Sequence, residues 1–224
     1  LSWIDSFIFS CPSGILKTLA VMSGDGSLFL HTKVTLYETL VSFLLVIGIS
    51  FLTATLLWIF PTVSEILEPW LVVLNSLPKS ALAPLLIVWL GSGSCTIIVA
   101  GMSVAVFGSI ISMYTAFRET DSEKIKLIHT LGGGKREALC YVIFPSSLPS
   151  VISILKVNIG LCLVGVIIGE FLAAREGLGY LIIYASQIFK LNYLIAALMV
   201  LCLIALILYT VIQKFEHQIK RSRS

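Results

Sequence analysis

Charge is what this sequence has least of. Only 12% of its 224 residues are Asp, Glu, Lys or Arg, against about a quarter in an ordinary soluble domain. A solvated globule with a charged surface is therefore excluded. Cysteines are few and scattered: Cys11, Cys95, Cys140, Cys162 and Cys202 form no CxxC pair and no Cys/His cluster. That pattern argues against a metal centre or a disulfide framework and for small apolar packing residues. The three histidines, His31, His129 and His217, share no metal-ligand spacing and are expected at solvated or interfacial positions. The net charge of +3 comes without a basic stripe interleaved with aromatics, so nucleic acid is not an expected partner. The chain opens on Leu1 rather than Met, so it is expected to be a piece of a longer protein, and no signal peptide can be read from it.

What is present is apolar. Hydrophobic residues make up 58% of the chain and fall in runs long enough to cross ~30 Å of hydrocarbon at ~1.5 Å per residue. The expected fold class is an all-α integral membrane protein, with the bilayer as solvent. Five spans are expected, at about residues 37–60, 71–90, 96–115, 148–171 and 193–212. Ahead of them, residues 1–36 form a segment with a short amphipathic helix near Pro12, closed by the breaker Ser23-Gly24-Asp25-Gly26-Ser27. Residues 37–213 form the membrane domain, and 214–224 a basic tail with Lys214, Lys220, Arg221 and Arg223. Pro61 ends the first span. Pro78 and Pro84 kink or break the second, because proline removes backbone donors. Gly165 and Gly169 lie at GxxxG spacing, which suits close helix packing. A short helix near 181–189 is expected at the surface.

One polar, glycine-rich segment interrupts this pattern, from Arg118 to Pro145. Ser122–Leu131 has the spacing of a short amphipathic helix, with Ile125, Ile128 and Leu131 on one face. Gly132, Gly133 and Gly134 end it and allow a sharp turn. Lys135–Phe144 then forms a second short helix, which Pro145 and Pro149 terminate. A rigid helix–bend–helix suits docking into a partner's groove. Gly134-Lys135 superficially suggests a phosphate loop, but His129 stands where its first glycine belongs and Arg136 where its Ser or Thr belongs. Lysine and arginine set orientation. The loop carries Arg118, Lys124, Lys126, Lys135 and Arg136, and five spans put it on the same side as the basic tail, so both are expected in the cytoplasm. The opposite side holds Lys17, Lys33, Arg175 and Lys190.

The segment resembles the cytoplasmic coupling motif of binding-protein-dependent ABC importer permeases: Glu-Ala-Ala, three residues, Gly, nine residues, Ile-x-Leu-Pro. With the motif's glycine on Gly132, its end falls on Val142-Ile143-Phe144-Pro145. Its start falls on Lys126-Leu127-Ile128, a departure that bears on particular contacts rather than on the loop itself. Residues 77–85 (LPKSALAPL), Trp89-Leu90-Gly91, Gly169-Glu170-Phe171, Gly177-Leu178-Gly179-Tyr180-Leu181 and Cys11-Pro12-Ser13 resemble further signatures of permeases for sulfonates, taurine, nitrate and pyrimidine precursors.

The resemblance implies the type I ABC importer transmembrane fold, with a sixth span before Leu1, in a bacterial inner membrane. It implies a second permease subunit (a homodimer is the expected pairing), two cytoplasmic ABC ATPase subunits and an extracytoplasmic substrate-binding protein. ATP and Mg would be held by the ATPase, with no cofactor and no chemistry in this chain. ATP-driven closure of the motors would press the coupling loops together and rock the spans. The first-choice cargo is a sulfonate, taurine or nitrate; a thiamine-precursor pyrimidine or riboflavin is the alternative.

The coupling residues are Ile125, Ile128, His129, Leu131, Gly132, Gly133, Gly134, Lys135, Arg136 and Pro145. Candidates for the path are Asn75, Ser76, Lys79 and Ser80 beside the broken span, where polar groups often line a route, with Lys156 and Glu170. For Asn75, Ser76 and Ser80 the competing reading is a kink satisfied by its own hydroxyls. Lys156 costs about 2.5–3.5 kcal/mol at mid-bilayer, so it is expected to pair with a carboxylate, snorkel, or meet cargo. Glu170 is expected to cap a helix, pair with Arg175, or touch the binding protein. Two readings from other classes compete. A membrane enzyme needs catalytic groups gathered at one interface, and a scaffold needs neither a broken span nor a bent loop.

Overall fold

The computed structural model describes residues 11–221, all of whose regular elements are helical. In order they are α1 (Pro12–Gly24), α2 (Ser27–Ile59), α3 (Pro61–Ser76), α4 (Lys79–Leu90), α5 (Ser94–Arg118), α6 (Ser122–Thr130) and α7 (Lys135–Ala138). A π-helical turn (Leu139–Ile143), α8 (Phe144–Ala173), α9 (Leu178–Gln187) and α10 (Leu191–Arg221) complete the chain. Four runs are long and apolar enough to cross a membrane: Ser27–Ile59, Ser94–Arg118, Lys135–Ala173 and Leu191–Glu216. The bent pair α3–α4 makes a possible fifth.

Several boundaries differ from the sequence expectation for identifiable reasons. The first span begins at Ser27, not Tyr37, because Asp25 accepts from the Ser27 N–H at 2.9 Å and from the Ser27 hydroxyl at 2.6 Å. Those bonds start α2 immediately after the breaker, and they hold the exposed Asp25 carboxyl below its usual range. The second span is broken rather than kinked. α3 starts at Pro61, α4 starts at Lys79, and the two meet at 94°. Pro78 forces Leu77 into extended backbone (ψ 137°), whereas Pro84 stays inside α4. The tail drawn at 214–224 is not separate: α10 continues to Arg221, and Arg223 lies outside the described residues, as do 1–10 of the N-terminal segment.

The largest correction concerns Pro145 and Pro149. Neither ends a helix. α7, the π turn and α8 run without interruption from Lys135 to Ala173.

The chain divides into two compact units. One contains the described residues up to Phe43, Pro78–Val104 and Ile159–Tyr209; the other contains Leu44–Leu77, Ala105–Asn158 and the residues from Thr210 on. In the first, the GxxxG spacing is a true packing seam. A Cβ on Gly165 would lie 2.8 Å from the Gly101 Cα, and one on Gly169 would lie 3.1 Å from the Ile97 Cα. The backbones of α5 and α8 therefore touch there. α9 packs one face inward and leaves Tyr184 and Gln187 exposed on the other. Leu178, Leu181, Ile182 and Ala185 are buried, with Leu181 and Ile182 packed beside Met22 and Ala197.

In the second unit, Ala54, Leu57, Ile110, Met113, Tyr114, Phe117, Leu139 and Ile143 form the core. Phe117 and Phe144 meet with ring centroids 5.7 Å apart. Polar pairs lock its helices: the Tyr114 hydroxyl donates to Ser64 Oγ at 2.8 Å and the Asn158 side-chain amide to Ser109 Oγ at 2.7 Å, all four residues being buried. A buried hydroxyl or amide left without such a partner costs about 1–3 kcal/mol.

Candidate functional site

The central loop is a capped helix with a defined stop. Asp121 starts α6 by accepting from the Glu123 N–H at 2.9 Å. At the other end, the Gly132 N–H donates to the His129 carbonyl at 3.1 Å and the Gly133 N–H to the Ile128 carbonyl at 2.9 Å. Those two bonds are the Schellman arrangement, and they need a left-handed residue just past the helix. Gly132 supplies it, with φ at +86°. Gly133 serves a different purpose: a Cβ there would lie 2.6 Å from Ile128 Cγ2. Gly134 opens α7, its N–H donating to the Glu137 carboxylate at 2.8 Å.

The bent segment is tied to the rest of its unit at two points, Ile125 and Lys135, and braced internally at a third, Ile128. Ile125 packs on the Leu57–Phe117 core. Ile128 is half-buried under Gly133. The Lys135 ammonium donates to the Ile59 carbonyl at 2.9 Å, which satisfies one free carbonyl at the C-terminus of α2 and opposes its dipole. His129 Nδ1 donates to the Gly133 carbonyl at 3.0 Å, closing the bend. Arg136 and Pro145 are exposed. Leu131 does not join Ile125 and Ile128: the helix ends at Thr130 and Leu131 sits on the turn, 76% exposed. Leu127, one turn earlier, is also exposed, as is Tyr141. The segment thus carries outward-facing leucines on a rigid bend. A cleft of about 440 Å³ lies beside it, lined by Trp58, Glu65, Glu68, Arg118, His129 and Lys135 among others.

The candidate path residues fall in both units: Asn75, Ser76 and Lys156 in one, Lys79, Ser80 and Glu170 in the other. Asn75 and Ser76 end α3, and Lys79 and Ser80 begin α4. The Ser76 hydroxyl donates to the Val72 carbonyl of its own helix at 2.9 Å, as the kink reading expects. Asn75 sits where a Cβ on Gly108 would meet its Oδ1 at 3.3 Å. Lys156 pairs with the buried Glu216 of α10, a partner the sequence reading missed because Glu216 looked like part of a solvated tail.

Glu170 does cap a helix, and its partners are not Arg175. It is 1% exposed, and it accepts from the Thr35 hydroxyl at 2.6 Å and from the Gly179 N–H at 2.5 Å. Thr35 Oγ1 in turn accepts from the Leu178 N–H at 2.8 Å, and His31 Nδ1 from the Gly177 N–H at 2.9 Å. Three consecutive N–H groups at the start of α9 are therefore satisfied by side chains of α2 and α8. His31 is half-buried. Glu38, one turn from Thr35 on α2, is fully buried beside Glu170 and Ser94. The available signal for these residues was a His, a Thr and a Glu at four- and three-residue spacing in the first turns of an apolar helix.

The chain belongs to the family described as binding-protein-dependent transport system inner membrane component, whose model matches residues 45–221. It is thus a membrane-embedded transport permease of the ABC importer class. It is 31% identical to a "Probable ABC transporter permease protein" of Haemophilus influenzae, over 95% of this chain and 86% of that one. It is 29% identical to the "Riboflavin transport system permease protein RibX" of Chloroflexus aurantiacus, over 99% of this chain and 82% of that one. Other relatives are named for formylaminopyrimidine, taurine and aliphatic sulfonates. The fold matches a chain of the inward-facing MetNI methionine ABC transporter, with a TM-score of 0.71 at 20% identity, over 85% of this chain and 93% of that one.

Proposed function

We propose that the Asp121–Ile143 segment is the coupling element of this permease, seated in a separate cytoplasmic ATPase subunit. The observation that carries the reading is the capped, Schellman-bent α6. It is anchored to its unit by Ile125 and Lys135, Ile128 packs under Gly133 within the bend, and Leu127 and Leu131 are left exposed. A rigid bend with apolar knobs transmits force; a floppy loop does not. Two copies of the chain, two ATPases holding ATP and Mg, and an extracytoplasmic binding protein complete the importer, and this chain performs no chemistry. The loop and the C-terminal end face the cytoplasm, in keeping with their lysine and arginine content.

For cargo, two readings have support. A flat heteroaromatic compound, such as a thiamine-precursor pyrimidine or riboflavin, is favoured by the relatives named for those compounds, at 27% and 29% identity. A sulfonate or taurine is supported by relatives at 22–23% identity and by Lys79 beside the broken span.

The test is purification of the chain with the ATPase encoded beside it, followed by a thermal-shift panel of riboflavin, formylaminopyrimidine, taurine and nitrate on the neighbouring binding protein. An ATPase that fails to copurify would refute the coupling assignment. A shift with taurine or nitrate alone would decide against the heteroaromatic cargo.

A further inference from the structure

The clamp on α9 is attached to a second cleft. That cleft has a volume of about 430 Å³ and is lined by Glu38, Ser92, Gly93 and Ser94 on one side and by Ala174, Arg175 and Glu176 on another. The latter three residues have no regular secondary structure of their own. They hang between the end of α8 and Gly177, and their position is fixed by whatever holds those two points. Glu170 holds both. It lies one turn before the end of α8, and its carboxylate takes the Gly179 N–H. His31 and Thr35, one turn apart on α2, take the Gly177 and Leu178 N–H groups. The fit is close: Gly177 has φ at +115°, and a Cβ on Gly177 or Gly179 would overlap the Glu170 side chain. A plain helix cap uses one neighbouring side chain; here three side chains from two other helices converge on one turn. Their common effect is to pin one wall of the cleft.

We propose that His31, Thr35 and Glu170 are positioning residues for transport, which hold Ala174–Glu176 in the shape of the cleft that takes in cargo. This rests on the importer reading above, with the cleft formed at the start of α5 and the end of α8. Loosening the clamp then weakens cargo acceptance while leaving the motor's stroke intact.

The experiment uses the whole importer in proteoliposomes: two copies of the chain, its ATPase subunits and its binding protein. Uptake of riboflavin, formylaminopyrimidine and taurine is measured against concentration for the wild type, Thr35→Val and Thr35→Ser. Valine keeps the shape of threonine and removes both hydrogen bonds; serine keeps both. Thr35→Val should raise the half-saturating concentration about tenfold, the loss expected when a buried N–H goes unpaired, with the maximal rate changed less than about twofold. Thr35→Ser should match the wild type. A fall in maximal rate at unchanged half-saturation, or equal behaviour of valine and serine, overturns the proposal.

If Thr35→Val does not assemble, His31→Leu against His31→Asn gives the same comparison, since Asn can present an acceptor where Nδ1 sits. Amide hydrogen exchange over residues 177–179 reads the clamp without any cargo. Protection lost in the valine or leucine variant and kept in serine or asparagine supports it, and unprotected amides in the wild type sink it. Failure of the wild type to take up all three compounds would count against the cargo reading, and the exchange result would still decide the clamp.

Discussion

Replacing Gly132 tests the bend most directly. Its φ of +86° lies in the left-handed region, and a Cβ placed there meets nothing within 4 Å. The cost of a side chain is therefore one of backbone conformation alone. For an ordinary L-residue that cost is about 1–2 kcal/mol, and more for a β-branched one. Leaving the left-handed conformation to escape it would give up the Gly132–His129 and Gly133–Ile128 bonds, each worth about 0.5–1.5 kcal/mol net. Either route disfavours the bend by roughly 2 kcal/mol, which lowers its population relative to unbent forms about thirtyfold. If only the bent form seats in the ATPase, its apparent affinity falls by the fraction of chain that is no longer bent. Gly132→Val should then leave the protein in the membrane at near wild-type amounts, while the ATP hydrolysed per solute imported rises several-fold. Asparagine tolerates the left-handed region, so Gly132→Asn should transport much like the wild type. The assay is paired measurement of uptake and ATP hydrolysis in the same proteoliposomes. Wild-type coupling in the valine variant, or equal damage from valine and asparagine, would show that the Schellman bend is not what the ATPase grips.

Three further outcomes are expected. Removing one partner of the Lys156–Glu216 pair, whose side chains are 20% and 8% exposed, should destabilise the protein by up to about 3–5 kcal/mol, whereas Lys156→Met with Glu216→Leu should recover most of it; thermal unfolding in one detergent compares the three. Gly165→Ala should lower folded yield sharply, because its methyl meets the Gly101 backbone, while Gly160→Ala, with nothing within 4 Å, should not; size-exclusion profiles separate them. Leu127→Ser with Leu131→Ser should weaken ATPase binding at least tenfold, since each leucine buried in a partner contributes about 1.5–3 kcal/mol; copurification at graded detergent concentrations reads this, and undiminished copurification would place the contact elsewhere.

Much of the fold was legible because lipid imposes a simple rule: long apolar runs become helices. The interrupted second span, the GxxxG spacing and the glycine bend were all visible as residue types at short spacings. The bent segment was legible for the same reason, down to Ile125 and Ile128 as its partly buried side. The clamp was not. His31, Thr35 and Glu38 occupy the first turns of α2, where polar residues ordinarily mark an interface. Their partners lie about 140 residues away, at Glu170 and Gly177–Gly179. No local pattern encodes that pairing. Glu216 was hidden similarly: four basic residues of the last eleven masked the one carboxylate that turns inward to Lys156.

Pro145 shows a different limit. A proline inside an α-helix clashes with the carbonyl four residues earlier, here that of Tyr141, and lacks the N–H that would bond it. By that rule a helix starting at Lys135 should end before Pro145. The chain instead widens first. Across Leu139–Ile143 the hydrogen bonds reach back five residues, the last from the Phe144 N–H to the Leu139 carbonyl. A π turn inserts one residue into the helical register. It places the strain of Pro145 at the point where the backbone is already expanded, so the helix passes through. The extra residue also resets the buried face, so that Ala138, Leu139 and Ile143 all point into the core while Tyr141 points out. A proline rule that considers only α geometry predicts two short helices and a hinge. The continuous run from Lys135 to Ala173 makes α7 and α8 a single stiff element instead, and displacement of the bend at Gly132–Gly134 has no hinge at Pro145 in which to dissipate.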